Sequence, residues 1–129
     1  MEKIFESWAF ILFFLIFILT NFVLALYFKL YYLFWWLDII HHFLGGIWLI
    51  LFFNFLMKRF RITLISERQR AALFLALIGL VALIGVGWEF FEFILNRYVM
   101  SIGFLGYEDT LSDLFFDLLG GVLAFLVIL

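Results

Sequence analysis

Cysteine is absent from the 129 residues, which excludes a disulfide framework, a thiolate metal site and a cysteine nucleophile. Charge is scarce too. Asp, Glu, Lys and Arg make up 14% of the chain and the net charge is -2, with basic residues too few and too localised to serve nucleic acid. No internal repeat or low-complexity linker divides the chain. What is present is apolar: 69% of residues are hydrophobic, 24% are aromatic, and mean hydropathy is +1.26. A soluble domain is roughly 45 to 50% apolar, so composition implies an integral membrane protein.

Four apolar stretches are long enough to span a hydrocarbon core of about 30 Å, which takes about 20 helical residues. They run from about Phe5 to Tyr27, Leu33 to Met57, Ala71 to Asn96 and Thr110 to Leu129. The first exceeds the roughly 7 to 15 residues of a signal-peptide core and lacks a small-x-small cleavage pattern, so it reads as a retained helix. Short connections predict antiparallel neighbours. The sequence therefore predicts an all-α polytopic membrane protein, a four-transmembrane-helix bundle forming one domain over residues 1–129.

Lys58, Arg59, Arg61, Arg68 and Arg70 fall in the second loop, Lys3 lies on the same side, and Lys29 and Arg97 lie opposite. By the positive-inside rule, both termini and the second loop are cytoplasmic. Tyr27, Tyr31, Tyr32, Trp35 and Trp36 crowd the first hairpin, where they read as an aromatic belt at the outer interface.

Against this apolar background stand Asp38, His41, His42, Glu89, Glu92, Asp109, Asp113 and Asp117. An ionisable group in hydrocarbon is costly and normally faces a protein interior or a watery cavity. Counted inward at about 1.5 Å per residue, Asp38 and His42 lie roughly 7 to 14 Å deep, Glu92 and Glu89 roughly 6 to 10 Å, and Asp113 and Asp117 roughly 5 to 11 Å. Thr20 and Asn21 on the first helix fall at a comparable level, roughly 9 Å. Residues three and four apart share a helix face, which makes stripes of Asp38 and His42, of Gly85, Glu89, Glu92 and Asn96, and of Asp109, Asp113 and Asp117. Gly45, Gly46, Gly120 and Gly121 extend two of these stripes and read as packing residues.

Six carboxylates a few ångströms apart cannot all remain ionised, so either a cation is bound or several are protonated. A divalent metal (Mg, Mn, Fe or Zn) suits carboxylate and imidazole ligands, and a helical bundle can present them from facing helices. Asp38, His42, Glu89, Asp113 and Asp117 are the candidate ligands. Glu92, with Glu89 and Asp117, is a candidate catalytic group. No Glu-x-x-His pair is present, because both histidines lie on the second span and both glutamates on the third, which disfavours a ferritin-like di-iron site.

Blander readings stand beside these. His42 can be a structural histidine bonded to Asp38 or Glu89. His41 points about 60° from Asp38 and 100° from His42, toward headgroups or a neighbouring helix. Asp109, between Glu108 and Thr110 at a helix start, reads better as an N-cap. Trp88 reads as a packing or interface residue, and Asn54 has no evident part in the cluster.

The order D-x-x-x-H-F-x-x-G from Asp38, W-E at Trp88 and Glu89, and D-T-x-x-D followed by D-x-x-G from Asp109 resembles the YjdF-like bacterial inner-membrane proteins. More distantly it is similar to the VanZ-like membrane proteins. YjdF-like proteins are generally longer, so the resemblance implies a short version in which Ile39 stands where a basic residue often follows the first Asp. The resemblance implies a bacterial inner-membrane location and supplies no chemistry.

Two functions from different classes follow. One is a metal-dependent hydrolase or transferase acting on a membrane lipid or lipid-linked envelope substrate; no Lys/Arg-rich phosphate motif is present, so phosphate handling would depend on the metal. The other is a proton, metal-ion or organic-cation binding or transport module, for which four helices imply a homo-oligomer. A third, structural reading is a membrane assembly partner.

Overall fold

The computed structural model describes residues 2–5, 7–63, 66–103 and 106–129. Glu6, inside the first expected span, and residues 64, 65, 104 and 105, in the expected loops, lie outside the described residues. The described residues form six helices in order: α1 (Glu2–Phe5), α2 (Trp8–Tyr27), α3 (Leu30–Leu33), α4 (Trp36–Arg59), α5 (Glu67–Tyr98) and α6 (Tyr107–Ile128). Among the described residues there is no strand, and α2, α4, α5 and α6 are each long and apolar enough to cross a membrane.

Capping chemistry moves several boundaries from their expected places. Helix α5 begins at Glu67 rather than near Ala71 because Ser66 and Gln69 form a reciprocal box: Gln69 N–H donates to Ser66 Oγ (3.3 Å) and Ser66 N–H to Gln69 Oε1 (3.0 Å). Replacing Ser66 with Ala should cost about 1 kcal/mol and speed amide exchange in the first turn of α5. Ser7 caps α2 without a reciprocal partner, its Oγ accepting from Phe10 N–H. The stretch expected to open the second span at Leu33 instead divides, with α3 as a separate turn and α4 starting at Trp36. At 32 residues, α5 is about 48 Å long. It exceeds a hydrocarbon core of about 30 Å, so it must tilt or project.

The tightest pairing is α4 with α6, which are two spans apart in sequence and run parallel, rather than any pair of successive spans. Glycine explains it. A Cβ on Gly46 would run into the Asp117 carbonyl, and one on Gly120 into the Phe43 carbonyl, so the two backbones touch where neither residue has a side chain. Close backbone approach at small residues replaces the hydrophobic drive that lipid removes. Gly121 faces Val81, seating α5 on α6, and Trp48 Nε1–H donates to the Ile11 carbonyl (2.9 Å), fastening α2 to α4.

Two apolar cores result. Ile50, Leu77, Val81, Ala124 and Phe125 fill the half of the bundle nearest the α4–α5 connection. Phe22, Ala25 and Tyr31 pack at the opposite end, under the other two connections. Large apolar side chains cover the exterior, as hydrocarbon surroundings allow; Val127 is 84% exposed and Leu75 71%.

Candidate functional site

Between the second core and the glycine crossing, three helices deliver ionisable side chains to one place. Helix α4 contributes Asp38 and, one turn on, His42; α5 contributes Glu89 and Glu92; α6 contributes Asp113 and Asp117. Asp113 is wholly buried, and His42, Glu92 and Asp117 are nearly so. His42 sits at the middle. Its Nε2 lies 3.9 Å from Asp38 Oδ1, 3.7 Å from Glu89 Oε1 and 3.9 Å from Asp113 Oδ2, while Nδ1 lies 3.1 Å from Asp117 Oδ2.

The first three separations are too long for hydrogen bonds. Consequently His42 Nε2, Glu89 Oε1, Asp109 Oδ2 and both Asp113 oxygens are buried without a hydrogen-bond partner. Burying such groups unpaired costs free energy, and a cation among them would remove that cost. Asp38, His42, Glu92 and Asp113 form a group that could hold one, each offering an atom within 4.8 Å of the others. Ligands about 2.0 to 2.2 Å from one ion stand up to about 4 Å apart, so the group would close slightly around it.

Supporting contacts leave the converging atoms free. His42 Nδ1 lies within hydrogen-bond distance of Asp117; an ionised Asp117 accepts a proton held on Nδ1, the tautomer that turns the Nε2 lone pair toward the other acids. Trp88 Nε1–H donates to Glu92 Oε1 (2.9 Å), and Thr110 Oγ1–H to Glu89 Oε2 (2.7 Å). Gly85 makes room for Asp117, whose carboxylate occupies the space where a Cβ would stand. Neither Trp88 nor Thr110 was expected in these roles. The W-x-x-x-E spacing could have exposed Trp88, since residues four apart face one another. Nothing local pairs Thr110 with Glu89.

Several positions depart from the sequence reading. Asp117 meets His42 through Nδ1, on the far side of the ring from the four-residue group, whereas Glu92 stands within that group. Asp109 is not the cap of α6; Gly106 is, and Asp109 lies in the first turn, where the helix dipole favours an acid. Helix α2 brings no polar group to the centre, because Thr20 is exposed and Asn21 donates to the Phe17 carbonyl of its own helix. Asn96 turns to the following loop and accepts from Ile102 N–H. Asn54 is buried toward the other end. His41 faces protein, its Nδ1 lying 2.8 Å from the Tyr31 hydroxyl.

Tyr31 accordingly leaves the aromatic belt. It is buried against Phe22 and Ala25, while Tyr27, Tyr32, Trp35 and Trp36 are exposed. Burial foremost, then the charges of Asp38, Glu92 and Asp113, pushes its phenol up, so it remains a neutral hydroxyl. Tyr31 also helps roof the centre. Gly103, at φ +115°, packs against it, and the Tyr32 hydroxyl pairs with Ser101 Oγ (2.5 Å), joining the two loops. Beneath the roof a space of about 10 Å³ touches Asp38, Glu92 and Asp109. On the other side of His42 lies an apolar cavity of about 200 Å³ between α2, α4 and α5.

A family model described as "Predicted membrane protein (DUF2238)" matches residues 2–129. That match is consistent with the YjdF-like motifs and does not extend to the VanZ-like proteins. No curated protein and no solved structure matches the chain.

Proposed function

The chain belongs to the DUF2238 family of predicted membrane proteins, and we propose that it is a divalent-metal-dependent enzyme. Its substrate on this reading is a lipid or lipid-linked envelope molecule, hydrolysed or relieved of a transferred group at the outer face of a bacterial inner membrane. The observation that carries the proposal is the convergence of buried, unpartnered ligand atoms on His42 Nε2, Glu89 Oε1 and Asp113. Three carboxylates, one imidazole and no sulfur suit Mg, Mn, Fe or Zn. The five basic residues from Lys58 to Arg70 support a reading in which the opposite end of the bundle, with both chain ends, faces the cytoplasm.

A bound divalent ion supplies a Lewis acid that polarises a phosphoryl or acyl oxygen and activates a water. Asp38, His42, Glu92 and Asp113 would hold it. Glu89, with one oxygen steadied by Thr110 and the other without a partner, would on this reading accept the proton of the attacking water. Asp117 orients His42. Its replacement by Ala should weaken metal affinity about 10- to 100-fold, the usual effect of losing such a partner, measured by competition with a chelator.

Cation transport is the competing use of the same acids. Ile50, Leu77, Val81, Ala124 and Phe125 fill much of the other half of the bundle, where Asn54 is a buried polar side chain, and this largely apolar packing favours chemistry at the centre. The test is elemental analysis of protein purified without added metal or chelator, combined with lipid profiling of cells carrying the wild type or Asp113→Asn. Stoichiometric metal with a changed envelope-lipid profile is expected. Metal with unchanged lipids would overturn the lipid reaction alone, and absence of metal would overturn both parts.

A further inference from the structure

We propose that the 200 Å³ cavity beside His42 holds one hydrocarbon tail of a membrane lipid, admitted sideways between α2 and α5. This deepens the proposed lipid chemistry and rests on it for the identity of the headgroup, but the occupancy of the cavity is a separate question.

The shape and chemistry of the cavity favour a tail. One end is bounded by His41, His42 and Asp117, and the walls beyond are apolar, including Leu15 and Leu49. From His41 to Leu49 the wall of α4 extends about 12 Å along the helix, a slot rather than a sphere. An apolar cavity of about 150 Å³ is already large enough to stay dry and accept a small hydrocarbon. Here the volume is greater, and the surrounding medium is lipid.

An entrance exists on the same side. Phe22 meets Trp88 edge-on at 5.0 Å and Phe91 at 6.4 Å, bridging α2 and α5 near the roofed end. Away from that bridge, Leu19 on α2 and Ile84 on α5 line the cavity and are 42% and 41% exposed, so its wall is continuous with the bilayer-facing surface. A lipid entering there would lay its tail along Gly45 toward Leu15 and Leu49, leaving its polar end next to His41, His42 and Asp117. The tail end lies deeper in the bilayer than the polar end, which matches the orientation of a lipid in the same leaflet.

Gly45 provides the test. An added Cβ meets nothing closer than Asp117 Oδ1 at 3.9 Å, so a side chain can start from Gly45, which lines the slot, and a Leu there is expected to occupy it. Wild type, Gly45→Leu and, at the entrance, Ile84→Trp would be reconstituted in vesicles of phosphatidylglycerol carrying a mid-chain diazirine, irradiated, and mapped by peptide mass spectrometry. Labelling of Leu15 and Leu49 is expected in the wild type and is lost in both variants, while labelling of the lipid-facing Val127 and the metal content persist. Absent labelling of Leu15 and Leu49 in the wild type, or labelling unchanged by both variants, would overturn the tail site. Because metal is measured on the same samples, an empty metal centre and an empty tail slot give different results.

Discussion

His42→Ala protein, purified without added metal or chelator, is expected to carry no stoichiometric divalent cation where the wild type carries one. The imidazole is the only nitrogen ligand in the four-residue group, and its removal also strands Asp117, which bonds to the same ring. The loss should therefore exceed the roughly 10- to 100-fold change expected from an outer partner such as Asp117. Asp113→Asn provides the independent check, since it keeps the shape of a fully buried side chain and removes its charge. Metal retained at full stoichiometry in both variants would show that these atoms do not bind it. A bound cation also stabilises the folded state by mass action, so stripping it should lower the unfolding temperature of the wild type and leave that of His42→Ala unchanged.

The second large effect falls on packing. Gly46→Leu and Gly120→Leu each place a side chain where the facing backbone carbonyl already stands. Backbone cannot rotate aside as a flexible side chain can, so α4 and α6 must separate. A cost of about 3 kcal/mol or more is expected, at or beyond the upper end of ordinary overpacking. Thermal unfolding in detergent would measure it, with Gly79→Ala and Gly87→Ala as controls. A Cβ at either control position meets nothing within 4 Å, so those variants should be neutral or more stable by up to about 1 kcal/mol, the helix-propensity difference. Equal destabilisation at all four positions would remove the crossing as the explanation.

Membrane class and four helices were legible because long apolar runs interrupted by short polar connections have few alternative structures in lipid. The acids were legible for a related reason: Asp38, Glu89, Glu92, Asp113 and Asp117 stand out where charge is expensive. Which acid faces which nitrogen was not legible. Helical spacing puts Asp113 and Asp117 on one stripe, yet they reach opposite sides of the His42 ring because the ring lies between successive turns of α6. The pairing of α4 with α6 was likewise hidden, since loop length favours sequence neighbours while the glycines of both helices favour each other. Tyr31 was misplaced because belt tyrosines and buried tyrosines look alike until a partner such as His41 is known.

The roofed space touching Asp38, Glu92 and Asp109 measures about 10 Å³, close to the minimum needed to contain a single water. A space of that size admits water one molecule at a time and is too small for a multidentate chelator. If a metal is held there, its removal is expected to require the Tyr32–Ser101 contact to part, which would make the rate insensitive to chelator concentration once the reagent is in excess.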